Sequence, residues 1–223
     1  MVTPDELITE HTILSVVVGS RAYGLSTADS DVDLRGVYAA PSSAWWGFSK
    51  PPTHVEDPGG DRLYWELERF LELALQGSPT VLECLWSPIV EYSDPLGDEL
   101  LGLRSQLLSR RVYQSFLGYA NSQFDRLASP VSARDWKRAM HMVRSLISVR
   151  HTLTTGELLI DVGAWRQQLL TIRRGEADWG SVRAWRDKLA QQAEEAYSTT
   201  RLPARANRAA AERFLIEVRR TRL

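Results

Sequence analysis

The chain has 223 residues, 43% hydrophobic and 25% charged, the make-up of a globular protein with a sizeable core. A formal net charge of −1 supplies no overall field that would draw it onto nucleic acid or an anionic membrane. One cysteine, Cys84, excludes an intramolecular disulfide and a cysteine-based zinc cluster, and no stretch approaches the roughly 20 apolar residues of a membrane span.

At the N-terminus, Thr3-Pro4-Asp5-Glu6-Leu7 carries the marks of a helix start: a capping hydroxyl, proline at the first position and acids in the first turn. No basic region precedes an apolar run there, so the expected location is the cytoplasm, without a membrane partner. Residues 13–18, Ile-Leu-Ser-Val-Val-Val, read as a buried strand. That strand stops at Gly19-Ser20, where a tight turn presents backbone N–H groups beside a serine hydroxyl, a cradle for an anion. A second strand is expected over residues 31–38. Alternation along it sets Asp31 and Asp33 side by side on one face and turns Val32 and Leu34 into the core. Two adjacent carboxylates repel each other unless a cation joins them. Magnesium, which takes oxygen ligands and shares them with phosphates, suits the pair. Asp29, just before, reads as a turn residue.

Trp45-Trp46-Gly47-Phe48 forms an apolar patch, either a lid over a sheet face or a base-stacking platform. Pro58-Gly59-Gly60, between His54-Val55-Glu56 and Leu63-Tyr64-Trp65, predicts a hairpin. A helix is expected from Glu66 to Leu75, ended by Gly77-Ser78-Pro79. Cys84, among Leu82, Leu85 and Trp86, reads as a small core residue. From about Asp94 onward the pattern is helical: residues 100–108, 112–127 stopped by Ser129-Pro130, 133–153, 165–173, 182–197 and 206–222. The arginines of the last helix, Arg205, Arg208, Arg213, Arg219, Arg220 and Arg222, alternate with Glu212 and Glu217 and read as a solvated face. The expected fold class is α+β: a small mixed-sheet domain over residues 1–92, then an all-helical domain over 93–223.

The run Gly19-Ser20-Arg21-Ala22-Tyr23-Gly24-Leu25, followed by Ser30-Asp31-Val32-Asp33-Leu34-Arg35-Gly36, resembles the DNA polymerase β-like nucleotidyltransferase superfamily. It is most similar to the branch of predicted nucleotidyltransferases found with RNA-repair ligases. The resemblance implies a third carboxylate on a neighbouring strand. Asp61, before Trp65-Glu66-Leu67, is the candidate and Glu66 the second choice; a turn residue is the other reading of Asp61. Lys137, His141 and Arg144 stack along one face of the helix over residues 133–153. Together with Thr155-Gly156-Glu157 they resemble the corresponding helix and turn of that branch, which implies that they bring cations to a triphosphate. Tyr119 and Gln123 stand where they could face the same cleft. Arg21 and Arg35 are either further phosphate cations or partners in structural ion pairs. Ser78-Pro79-Thr80 replaces the family's Asn-Pro-Thr, and Glu83 matches a motif glutamate; both read as holding the fold.

The implied activity is nucleotidyl transfer from a nucleoside triphosphate such as ATP, with two magnesium ions on Asp31, Asp33 and Asp61 and pyrophosphate leaving. Gly19, Ser20 and Arg21 would hold the phosphates with Lys137, His141 and Arg144. An RNA end, a protein hydroxyl or a small molecule each fit as acceptor. The alternatives are a catalytically silent nucleotide sensor or antitoxin-like partner of the same fold, and a plain interaction module.

Overall fold

A computed structural model describes residues 3–28, 30–127 and 132–222. The expected turn at Asp29 and the helix stop at Ser129-Pro130 lie outside the described residues. Helix α1, Pro4–His11, opens as expected: Thr3 Oγ1 accepts from the Glu6 N–H, and the Glu6 carboxylate accepts from the Thr3 N–H. Strand β1, Thr12–Val18, is buried over Ile13 to Val18 and forms the spine of a five-stranded sheet. It pairs antiparallel with β2, Asp33–Tyr38, and with β5, Val90–Ser93. The Pro-Gly-Gly turn joins β3, His54–Glu56, to β4, Arg62–Glu66, in the predicted hairpin, and β4 lies parallel to β2. The order is β3-β4-β2-β1-β5.

Two expectations are corrected here. Strand β2 begins at Asp33 rather than Asp31, because β1 ends at Val18, the partner of Asp33, and turns into the short helix α2, Gly19–Ala22. Residues 31 and 32 therefore have no strand beside them on that side. Val32, expected in the core, is 45% exposed. The edge strand β5 was not expected. Its Val90 and Tyr92 are exposed, so little in its own pattern marks it, and β1 supplies its pairing.

Gly36 is required by close approach. A Cβ there would sit 2.2 Å from Tyr64 Cε1 and 2.7 Å from the Leu14 carbonyl oxygen. The Tyr64 ring crosses β2 at this point, and its hydroxyl meets Ser15 Oγ at 2.9 Å. Gly36→Ala is expected to lower unfolding free energy by about 1–3 kcal/mol through overpacking, read as a lower urea midpoint at unchanged slope.

Glu66 closes β4 rather than opening the helix; α3 runs Leu67–Leu75, and the Glu66 side chain caps it by accepting from the Glu68 N–H. Helix α4, Pro79–Leu85, leads to the edge strand β5. The helical region comprises α5 (Pro95–Gly102), α6 (Arg104–Leu107), α7 (Arg111–Phe124), α8 (Ala133–Thr155), α9 (Arg166–Arg173), α10 (Trp179–Thr199) and α11 (Arg208–Thr221). Helix α8 is its axis, packed against α7, α9 and α10. It is buried without a break from Met142 to Val149, the signature of a helix surrounded by protein. One hydrophobic core runs from Ile13 on β1 to Val218 on α11.

Helix α11 is not simply a solvated basic face. The Arg219 guanidinium reaches Glu66 Oε1 at 2.8 Å and covers the Trp45 ring, 4.7 Å from its centroid. Arg222 meets Asp94 at 3.2 Å and accepts from the Ser42 N–H through its carbonyl. Beyond Trp45 the aromatic patch is no lid: Trp46 is 74% exposed and Phe48 fully so. Both follow the end of β2 remote from Asp33.

Candidate active site

Where β1 ends, Val18 is extended and Gly19 turns with φ +71°, a left-handed conformation that favours glycine. Space demands glycine as well, since a Cβ would lie 2.3 Å from Asp33 Oδ2. The backbone of the Gly-Ser turn is thus pressed against the carboxylate that begins β2. The first N–H groups of α2 have no intrahelical partner. Gly19, Ser20, Ser30, Asp31 and Asp33 line one cavity of about 100 Å³, facing Lys137, Met140 and His141 of α8 and Arg173 of α9. An adjoining cavity of about 250 Å³ shares Gly19, Asp33 and His141 and is also lined by Tyr23, Arg35, Thr80, Glu83, Tyr119 and Arg144.

The loop carrying Asp31 is tied down from two sides. Thr27 N–H donates to Ser30 Oγ at 2.9 Å. Arg21 donates to the carbonyl oxygens of Ser30, at 2.9 Å, and Asp31, at 3.3 Å. Its guanidinium therefore orients the acid-bearing loop. Arg35 works in a similar way, donating to the carbonyls of Leu34 and Asp61 and so tying β2 to the hairpin.

Asp61 does not join the other two acids. In the parallel register Leu34 lies opposite Arg62, which brings the Asp61 backbone beside Asp33. Its carboxylate turns back to the hairpin, with Oδ2 3.5 Å from where a Gly59 Cβ would stand. Among the described residues no group of three or more His, Cys, Asp or Glu side chains is placed to share a metal ion. Glu66 is further removed, buried and paired with Arg219. The donor set of Asp31 and Asp33, hard oxygens on one cavity wall, fits a divalent cation such as magnesium. Asp61, expected to complete the catalytic metal site beside two ions on Asp31 and Asp33, is not among the residues lining this cavity.

Arg144 sits in a buried ion pair. It is only 3% exposed, with Nη1 2.9 Å from Glu83 Oε1 and its guanidinium 3.8 Å from the Tyr23 ring centroid. Tyr23 donates its hydroxyl to Glu83 Oε2 at 2.5 Å. Burial works against the Arg144 charge, but Glu83 and Tyr23 outweigh it and hold the guanidinium protonated beyond its ordinary range. Burial likewise raises Tyr23 well above the usual phenol range. The arginine faces the larger cavity, yet its charge is spent on this buried pair, and Glu83 holds the fold as expected. Burial also raises the Cys84 thiol far above its ordinary range, consistent with a core residue. Tyr119 lines the larger cavity as anticipated, whereas Gln123 is not among its lining residues.

His141 stands at the junction of the two cavities. Burial, and then the charges of Arg144, Lys137 and Arg173, push its imidazole down to about 3. It is neutral near pH 7 and does not add a cation, but it offers one N–H donor and one acceptor. A histidine depressed on folding resists protonation that the unfolded chain accepts. Stability is therefore complete above its ordinary range near 6.5 and falls as pH drops from there toward about 3. Acidification from about pH 7 to about pH 5 is expected to cost about 2 kcal/mol through this group alone. Urea unfolding of wild type and His141→Gln at both pH values checks it; the variant loses that share of the acid sensitivity.

Sequence reasoning missed Arg173. It is the last residue of α9, a helix whose pattern reads as amphipathic, and only the fold carries it to the acid pair. No local signal distinguishes it from Arg174 or Arg166.

Lys137 and His141 line the cavity together with Gly19, Ser20, Asp31 and Asp33. The chain is 35% identical over 83 residues to "Uncharacterized protein YcgL" of Bacillus subtilis, covering 36% of this chain and 32% of that protein, so the match spans about a third of YcgL. It is 25% identical over 167 residues to "Uncharacterized protein MJ0002" of Methanocaldococcus jannaschii, covering 72% of this chain and 68% of that one. Residues 6–217 match the family model described as RNA repair pathway DNA polymerase beta family. With nearly the whole chain inside that match, the protein belongs to the RNA repair pathway DNA polymerase beta family, a polymerase beta-like nucleotidyltransferase branch.

Proposed function

We propose that the protein transfers a nucleoside monophosphate from a nucleoside triphosphate to an RNA end, with magnesium bound and pyrophosphate released. The observation that carries this reading is the joint placement of Asp31, Asp33, Gly19 and Ser20 around one cavity whose far wall holds Lys137. Asp31 and Asp33 would hold the magnesium, which supplies Lewis-acid stabilisation of charge developing on the phosphoryl oxygens. Ser20 and the opening turn of α2 offer hydrogen-bond donors to the phosphates. Lys137 offers a point charge to the same group. Neutral His141, between the two cavities, offers a directional donor that is present across the neutral pH range. The larger cavity, with Tyr119 and Thr80 on its walls, suits the nucleoside end of the substrate.

The acceptor is an RNA end because the family is described by RNA repair, and the net charge of −1 suits contact with a terminus rather than a long tract. The test is incubation with each labelled triphosphate, magnesium, and RNA, protein or small-molecule acceptors, reading transferred label and pyrophosphate. Label on RNA with stoichiometric pyrophosphate is expected; label on another acceptor moves the substrate assignment. One observation favours a second reading, a silent nucleotide sensor: a third carboxylate does not join Asp31 and Asp33 among the described residues. Magnesium-dependent nucleotide binding without any pyrophosphate release would establish that reading instead.

A further inference from the structure

We propose that Arg173 of α9, with Lys137 of α8, forms a binding site for the pyrophosphate portion of the substrate. The inference rests on the transfer reading above and adds a residue and a ligand class to it.

The two cations come from different helices and line the cavity whose opposite wall is Asp31, Asp33, Gly19 and Ser20. Among the described residues neither cation has a carboxylate partner, and neither Asp31 nor Asp33 has a cationic one. Acids and cations that share a cavity without pairing are held apart by the fold. A divalent ion on the carboxylates would leave the cavity with surplus positive charge, which a polyphosphate neutralises. The other cations near the cavity are committed by their own contacts. Arg144 is bound to Glu83, Arg21 to the Ser30 and Asp31 carbonyls, and Arg35 to the hairpin. Arg173 makes one long contact, Nη1 to the Leu25 carbonyl at 3.5 Å, so most of its five N–H donors are uncommitted. Lys137 and Arg173 line the same small cavity as His141, which places their charges around one point. A guanidinium matches the paired oxygens of a phosphate with two parallel donors, and a lysine beside it adds a point charge.

The same helix fixes the loop leading from the Gly-Ser turn. Arg166 donates to the carbonyls of Gly24 and Ser26, the latter at 2.8 Å, and Arg173 to that of Leu25 between them. A ligand seated on Arg173 therefore joins the helical region to the acid-bearing sheet.

Titration calorimetry of the full chain with magnesium, using pyrophosphate and a nucleoside monophosphate as separate ligands, tests the proposal. Arg173→Gln keeps an amide donor for Leu25 but removes the charge; Arg173→Lys keeps the charge. Arg173→Gln is expected to weaken pyrophosphate at least about tenfold and the monophosphate less than about twofold, with Arg173→Lys near wild type. Equal losses for the two ligands, unchanged pyrophosphate affinity in Arg173→Gln, or rescue by Gln and not by Lys would each overturn it. The outcome is separable from the transfer reading. Pyrophosphate bound through Arg173 in a protein that transfers no label supports the site and removes the enzyme. Transfer that depends on Asp33, with Arg173→Gln binding pyrophosphate as wild type does, removes the site alone.

Discussion

Glu83→Ala is expected to remove about 3–5 kcal/mol of stability, a large part of what a domain of this kind has in total. The Glu83 carboxylate is the counter-charge of Arg144 and the acceptor for Tyr23, and all three side chains are buried. Removing it leaves a guanidinium in the centre of α8 with no carboxylate and a phenol with no acceptor. The measurement is urea unfolding followed by tryptophan fluorescence, with a lower midpoint and an unchanged slope. Glu83→Gln/Arg144→Met removes both charges and is expected to recover much of the loss, since the cost comes from stranding one ion. A Glu83→Ala variant as stable as wild type would show that the triad contributes little.

The second large effect falls on chemistry. Asp33→Asn is expected to reduce labelled-nucleotide transfer by at least about a hundredfold, because it takes away half of the paired charge that would hold the metal. Its stability is expected to stay level or rise. Asparagine is isosteric against the Gly19 backbone, and the change removes a carboxylate that repels Asp31 across the same cavity. Transfer assays and thermal unfolding on one preparation separate the two consequences. Equal transfer by wild type and variant would remove the catalytic assignment, whereas loss of transfer with loss of folding would give Asp33 a structural role.

The parts of this molecule that were legible in the sequence are those set by local chemistry. Thr3 with Glu6 caps α1, Pro-Gly-Gly turns the β3–β4 hairpin, and the 3.6-residue period marks α3 and α7 to α11 within a few residues, whereas α2 and α4 were not expected and the helix expected over 100–108 is the pair α5 and α6. Gly19, Ser20, Asp31 and Asp33 were found because a turn and its neighbouring strand bring them together over a short span. What stayed hidden was decided by partners far along the chain. Arg144 looks from its spacing like one of three cations on a helix face; Glu83, 61 positions earlier by residue number, makes it a core ion. Arg21 reads as a free cation until the Ser30 and Asp31 carbonyls arrive beside it. Glu66 looks like the acid of a helix first turn, and its carboxylate does cap α3, but Arg219 draws its charge away from any substrate. Strand β5 is written mainly in the edge of β1 that it completes.

The Glu66–Arg219 contact has a consequence for how the chain matures. On a ribosome, Glu66 and Trp45 emerge long before Arg219 is made, and until then a carboxylate destined for the interior has no counter-ion. The remote end of the sheet, where the Ser42 N–H and the Ala40 carbonyl also await Arg222 and Arg219, can settle only once those two residues have been made. The nascent protein is thus expected to keep that end unlocked while the residues between Glu66 and Arg219 are made, and to tighten when α11 docks.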